Sequence, residues 1–322
     1  MRKVALLYNP DSGGRREKRK AQLESVLALL RAAAIEVELR LPHSPSEAQE
    51  LTRNAIQNGC DTVFAGGGDG TIHNIVQVLA NTPVALAILP LGTANALAHD
   101  LGLPMNVCKA AQALAQPTRR RIALGRIHYR DLADNPAARF FVVAAGAGVD
   151  AHLFYKLLSG DKERMGMAAY YAKAWHLWFT HPMTRFSVEF SDAGSQEKHR
   201  ANVTELLAVR IRNFGGVVQE LAPGASLARN DMRLVLSRTA SRLAYLAYVT
   251  RGLLRRDWKV PGVDLAYTDR VSCSYSEESS SMHSAQETRP KVYIEADGEL
   301  VGTLPAEITV VQDALTLLAP SP

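Results

Sequence analysis

The sequence predicts an α/β domain with a parallel sheet, followed by an antiparallel β domain. Three observations carry that prediction. Strand-like apolar runs alternate with helical spacing from Lys3 to Leu101, the order that builds a parallel sheet with helices on both faces. Three of those strands run into turns rich in Gly, Pro and Asn. After Pro117, strand-like runs separated by turns take over.

The elements follow in order. Lys3–Tyr8 is apolar and β-prone, and Asn9-Pro10 stops it. A helix over 16–34 carries Leu23, Val26, Leu27 and Leu30 on one face. A second strand spans 35–41, and Pro45-Ser46 opens a helix that runs to Asn58-Gly59. Thr62–Ala65 is the third strand; Ile72, Ile75, Val76 and Leu79 mark the helix after it. A fourth strand (84–89) leads through Pro90–Asn95 to a helix at 96–101. Further strands are predicted at 122–128, 140–145, 186–190, 204–212, 233–236, 292–296, 308–311 and 315–318. Helical inserts are predicted at 151–179, where Tyr170, Tyr171, Trp175, Trp178 and Phe179 cluster, and at 240–254. Residues 272–289 are rich in Ser and Glu and read as a loose hairpin tip.

The composition sets limits. At 322 residues, with 47% hydrophobic and 21% charged residues, the chain has room for two ordinary globular cores. Cys60, Cys108 and Cys273 are far apart and match no metal spacing, which fits a reducing compartment. No apolar stretch reaches the length of a membrane span. The basic N-terminus lacks the apolar run of an export signal, so a cytoplasmic location is expected. A net charge of +5 favours anionic partners only weakly.

The most informative run is Gly66-Gly67-Gly68-Asp69-Gly70-Thr71. It lies between a strand and a helix, where backbone N–H groups and the positive helix end can cradle phosphate. It is not a Walker A loop, because no Lys follows the last glycine. It is not a dinucleotide fingerprint either: Thr71 stands where a third Gly or Ala belongs, and the strand at 84–89 has no acid. Asp69 beside phosphate makes sense with Mg²⁺ or a water between them. The turns at 9–14, 66–71 and 92–95 all fall at the carboxyl edge of a parallel sheet, where such folds bind ligands. Thr93 and Asn95 suit helix capping or contact with a nucleotide. Near the end, Asp297-Gly298-Glu299 puts two carboxylates at a hairpin tip, a pattern open to a plain turn or to a general base.

Taken together these runs resemble the diacylglycerol kinase catalytic-domain family. Asn9–Gly13, Gly66–Thr71, Leu91–Asn95 and Asp297–Glu299 stand in that family's order, and Asn213–Gly216 with Pro223 is similar to its middle motif. The resemblance extends from Lys3 to Pro320. It implies an NAD kinase/diacylglycerol kinase-like α/β ATP-binding domain (1–122) and a β-sandwich lipid-substrate domain with helical inserts (123–306). A C-terminal segment (307–322) would return to the first domain. It implies an ATP-dependent lipid kinase that uses Mg²⁺. Asn9, Gly66, Gly67, Gly68, Asp69, Gly70, Thr71, Thr93 and Asn95 would meet ATP. Asp297 would be the general base, supported by Glu299, with Asp69 the second choice or a water-mediated Mg²⁺ partner. A structural Mg²⁺ would take the Asp231 carboxylate and the Ala228 and Arg233 carbonyls, although Met232 replaces the usual Gly.

The departures are also informative. Pro42–Ala48 lacks the family's Thr and Gly-Asp-Ala pattern, so adenine contacts do not carry over, and Ala96 replaces the Asp usual after Asn95. His43 and His73 read as surface or helix residues. The expected partners are ATP, a lipid alcohol and, transiently, a membrane surface, with a homodimer allowed and no nucleic acid. Residues 243–259 have the composition of an interfacial helix, but a helix packed on the sandwich with its arginines in solvent is the preferred reading. An NAD kinase-like enzyme and a catalytically silent nucleotide-binding regulator on the same fold are the alternatives.

Overall fold

The computed structural model describes residues 1–9, 12, 16–148, 183–195, 197–215, 220–254, 256, 258–276 and 291–321. The helical insert predicted at 151–179 lies outside the described residues, as do Pro10, Gly13, Gly14, Gly216 and 277–290.

The first part alternates as predicted. Its elements are β1 (Lys3–Tyr8), α1 (Arg16–Ala32), β2 (Glu36–Arg40), α2 (Pro45–Gln57), β3 (Thr62–Gly67), α3 (Asp69–Leu79) and β4 (Ala85–Pro90). The short helices α4 (Ala96–Asp100) and α5 (Val107–Ala113) complete it. Strands β2, β1, β3 and β4 lie side by side, all parallel. Every residue of β3 and β4 is buried, as expected where helices cover both faces of a sheet. The chain moves outward from β1 to β2 on one side and to β3 on the other. The carboxyl ends of β1 and β3 therefore meet at a topological switch point, the usual ligand edge of an open α/β sheet.

Local signals set the helix ends. Ser44 accepts the Glu47 N–H at 3.2 Å, and Glu47 in return accepts the His43 N–H at 2.7 Å, a reciprocal N-terminal cap. α1 stops two residues before the predicted end. Ala34 takes a left-handed φ of 57°, and the Ile35 N–H reaches the Leu30 carbonyl at 3.2 Å, closing the helix.

The second part is antiparallel. It comprises β5 (Thr118–Arg130), β6 (Pro136–Phe141), β7 (Ala144–Gly148), β8 (Phe186–Ser191), β9 (Lys198–Val203), β10 (Glu205–Val209) and β11 (Met232–Ser237). Then follow α6 (Arg242–Leu254), β12 (Val263–Thr268), β13 (Arg270–Tyr275), β14 (Tyr293–Ala296) and β15 (Glu299–Ala319). Strands β9, β12 and β13 have no counterpart in the sequence prediction. They carry polar residues such as Lys198, Arg200, Asp264 and Ser272 among their apolar ones, so no continuous apolar run marks them. Conversely, the single strand predicted at 140–145 is two strands with a break at Val142-Val143.

β15 joins the halves. The two runs predicted at 308–311 and 315–318 belong to this one strand of 21 residues. It pairs antiparallel with β14, β13 and β5, and its end pairs parallel with β4 through Thr316 and Leu317. The described strands thus form one hydrogen-bonded sheet over two hydrophobic cores. Along β15, Val301, Leu304, Ala306 and Ile308 enter the second core, whereas Ala314, Leu315, Leu317 and Leu318 enter the first. β7 faces both: Ala144 lies in the first core, Ala145 and Ala147 in the second, the alternation a strand imposes.

α6 departs from the preferred reading. Its buried residues are Arg251 and Gly252, while Leu243 and Leu254 are 78% and 59% exposed. Leu246, Val249 and Leu253 are exposed beside them.

Candidate active site

The glycine run is built by close backbone approach. A Cβ on Gly92 would lie 2.5 Å from the Gly68 Cα, so the loop after β3 and the loop after β4 touch glycine to glycine. Asp69 locks the same contact. Its Oδ2 accepts the Asn95 N–H and its Oδ1 the Ala96 N–H, both at 2.9 Å. Asp69 therefore caps the start of α4, and both its oxygens point there. Burial raises its carboxyl above the usual carboxylate range, the two backbone N–H groups oppose this, and the Asp297 charge adds to the rise. Asn95 closes its own turn, accepting the Gly92 N–H and donating to the Gly92 carbonyl at 2.9 Å each.

Two cavities flank this junction. One, of about 330 Å³, is lined by Asn9, Gly68, Gly70, Thr71, Glu299 and the Pro42–Pro45 loop, among others. The other, of about 350 Å³, is lined by Thr93, Asn95, Arg19 and His99, among others. The structure thus divides the predicted ATP residues. Asn9, Gly68, Gly70 and Thr71 gather at the first cavity, with Asn9 Nδ2 3.4 Å from Thr71 Oγ1. Thr93 and Asn95 face the second. Gly66 and Gly67 are buried at the end of β3. The loop whose adenine contacts could not be carried over from the family lines the first cavity all the same.

Glu299 and Asp297 arrive from the other half of the molecule. They sit on the turn between β14 and β15, where Asp297 and Gly298 have φ of 50° and 80°, as a type I′ hairpin requires. Glu299 is exposed and hangs over the glycine loop: a Cβ on Gly70 would meet its Oε1 at 2.9 Å. The Asp297 side chain is 2% exposed and turns inward. Its Oδ1 accepts N–H groups from Val142, Val143 and Ala144 at 3.2, 2.8 and 3.2 Å. Its Oδ2 shares the Val142 N–H at 3.0 Å and meets His73 Nδ1 at 3.2 Å. The break between β6 and β7 exists to aim those three N–H groups at one carboxylate, an anion nest.

His73 was read as a surface or helix residue. It is on α3 but fully buried, between Asp297 on one nitrogen and Arg139 Nη1 on the other at 3.3 Å. Sequence reasoning missed His73, Arg139 and the nest, because each contact joins residues at least 66 positions apart. The middle motif has a plain structural part: Asp100 accepts the Arg212 and Asn213 N–H groups at 2.8 and 2.9 Å.

The residues predicted to hold a structural Mg²⁺ do not fit one. The Asp231 carboxylate is taken by Arg229, whose Nε and Nη2 each donate at 2.6 Å. The guanidinium of Arg210 is fully buried and donates to the carbonyls of Arg229, Asp231 and Ala123. Burial pulls Arg210 down to about 10, with Asp231 opposing and Arg229 adding to the fall, so it is still a cation at neutral pH. Arg233 lies within the ladder between β10 and β12. Ala228 is exposed on the preceding loop. Two arginines supply the positive charge the loop needs. Among the described residues no group of three or more His, Cys, Asp or Glu side chains forms a metal cluster.

Comparison with known proteins agrees with the motif reading. Residues 3–127 match the family model of the diacylglycerol kinase catalytic domain. The diacylglycerol kinase of Bacillus subtilis is 28% identical over 313 residues, 95% of this chain and 93% of that protein. In structure, a diacylglycerol kinase from Bacillus anthracis superimposes with a TM-score of 0.70 at 16% identity, covering 98% of this chain and 96% of that one. Yeast NADH kinase shares the fold more distantly, with a TM-score of 0.51 at 11% identity over 100% of this chain and 84% of that one. By these findings the chain is similar to the diacylglycerol kinase catalytic-domain family, over residues 3–127 by family model and nearly throughout by its relatives. They support a phosphotransferase of the lipid kinase kind, and the predicted two-part fold is borne out.

Proposed function

We propose that the protein transfers the γ-phosphate of ATP to the hydroxyl of a lipid, with diacylglycerol the first acceptor to test. One observation carries this: a turn bearing two carboxylates crosses from the β half to stand on the glycine loop, with Glu299 over Gly70 and Asp297 against His73 of α3. The phosphates of ATP would lie in the cavity of Asn9, Gly68, Gly70 and Thr71, against bare backbone and the start of α3. The exposed Glu299 is the oxygen ligand there that suits Mg²⁺, which when bound would offset the phosphate charge. Asp69 locks the two loops and faces away from that cavity.

Asp297 is the proton acceptor in this reading. Its Oδ1 accepts three backbone N–H groups, whereas Oδ2 meets only the shared Val142 N–H and His73, so the proton enters at Oδ2, the less committed oxygen. The lipid oxygen bonds to the γ-phosphorus as its proton passes to Asp297. The bond from phosphorus to the ADP oxygen breaks, and its electron pair leaves with ADP. Catalysis of this kind is mostly positioning and charge stabilisation.

The lipid would be met at a membrane. No helix among the described residues is long and apolar enough to cross one. The outward leucines of α6, with Trp258, Arg256 and Lys259 exposed just beyond it, have the chemistry of a peripheral anchor on an anionic surface.

Labelled ATP with a total lipid extract, and with NAD as a competing acceptor, tests the reading. A labelled lipid supports it. A labelled NAD product would favour an NAD kinase. ATP binding with no labelled acceptor would favour a silent nucleotide-binding protein.

A further inference from the structure

His73, itself fully buried, lies in the middle of a chain of polar groups that links the two halves of the molecule, with Gln77 and Arg139 half-buried. Its Nδ1 faces Asp297 Oδ2 at 3.2 Å, and its Nε2 faces Arg139 Nη1 at 3.3 Å. Gln77 Nε2 is 3.5 Å from the same Nε2 and also donates to the His73 and Phe140 carbonyls at 3.1 and 2.8 Å, while Gln77 Oε1 accepts the Phe140 N–H at 2.9 Å. That last bond fixes which end of the Gln77 amide is nitrogen. A guanidinium has only donors. His73 Nε2 therefore receives hydrogen bonds and carries no proton, so the ring proton is on Nδ1 and is given to Asp297. The other ring nitrogen decides the tautomer, as is usual for histidines that orient a catalytic partner.

We propose that His73 is a positioning residue for the phosphate transfer: through Nδ1–H it holds Asp297 Oδ2 at the place where the acceptor hydroxyl gives up its proton. The inference rests on the reading of Asp297 as proton acceptor. The nest of Val142, Val143 and Ala144 fixes Oδ1, and the Val142 N–H also reaches Oδ2 at 3.0 Å; among the described residues His73 is the one side chain that donates to Oδ2. His73 is on the helix that the glycine loop opens. The same contact therefore sets the distance between the base and the phosphate loop. Arg139 and Gln77 keep the ring from turning over. His73 does not take the proton itself, because its free lone pair is already committed to Arg139.

Two substitutions separate positioning from bulk. His73→Asn keeps an N–H donor close to the place of Nδ1, and His73→Leu fills the site without one. We expect His73→Leu to lose about tenfold or more in kcat, part of the ~10²–10⁴ that positioned acid–base groups supply. Its KM for ATP should be unchanged, and His73→Asn should recover most of the loss. A folded His73→Leu that keeps its kcat would overturn the proposal, and so would an Asn variant as slow as the Leu one. In the wild type, ¹⁵N ring shifts of His73 should report the Nδ1–H tautomer; an Nε2–H tautomer also overturns it. Failure of the wild type to phosphorylate any lipid would instead sink the functional reading on which the proposal rests.

Discussion

At the scale of single residues, two carboxylates two positions apart do different work. Asp297 is satisfied by four N–H donors inside the protein, and Glu299 stands in the phosphate cavity. Asp297→Ala would leave those donors buried and unpaired, at about 1–3 kcal/mol for each group left without a partner. Urea unfolding should show a loss of about 3 kcal/mol or more. A loss below 1 kcal/mol would mean the nest is not formed in solution. Asp69 gives a pH test. Its carboxyl is raised in the folded chain, so the folded state binds its proton more tightly than the unfolded state, where the pKa is ~3.9. The stability it contributes is greatest below that value and falls as pH rises through the raised one. The stability of wild type relative to Asp69→Asn should therefore decline as pH rises above about 4. The reverse slope would refute the burial argument. The sequence pointed to Gly66–Thr71 and Asp297 because motif and turn chemistry are local. It gave no hint of His73 or of the arginines around Asp231, whose partners are set by the fold.

At the scale of elements, local rules explain most boundaries and identify one weak joint. Ala34 closes α1 in a left-handed conformation that costs a residue with a Cβ ~1–2 kcal/mol. Ala34→Gly should raise stability by about 0.5–1 kcal/mol after the entropy cost of glycine; a decrease would place the helix end elsewhere. The split between β6 and β7 was not legible, because an apolar run from Phe140 to Ala145 carries no breaker. Its cause is the Asp297 carboxylate, which comes from the far end of the chain. α6 makes a further prediction. Burying each exposed leucine in lipid is worth ~1.5 kcal/mol or more. Replacing Leu243 and Leu254 by Ser should cut co-sedimentation with anionic vesicles at least ~10-fold. Unchanged sedimentation would remove α6 as the anchor.

At the scale of the whole molecule, the α/β half was legible because parallel strands buried on both faces are continuous apolar runs. The antiparallel half was legible only in part, since strands such as β9 and β13 mix polar and apolar residues. The joining of the halves by β15 was beyond reach of periodicity. That joint gives the site its meaning, because it brings the turn of Asp297 and Glu299 onto the glycine loop. The loop at Arg229–Asp231 needs no metal to hold its shape. The melting temperature without nucleotide should be the same in EDTA as in Mg²⁺, and Arg210→Met should lower stability by ~3 kcal/mol or more by stripping the buried carbonyls of their donor. A melting temperature that falls in EDTA would restore the metal. The central claim is phosphate transfer to lipid at the glycine loop. Its most direct test is the initial rate of labelled phosphate transfer from ATP to diacylglycerol in anionic vesicles, for wild type and Glu299→Gln, with ATP binding measured in parallel. The account predicts labelled lipid from the wild type and, at saturating ATP, at least ~10-fold slower transfer by a Glu299→Gln variant that keeps its fold. A wild type that binds ATP yet labels no lipid, or a Glu299→Gln variant as fast as wild type, would contradict it.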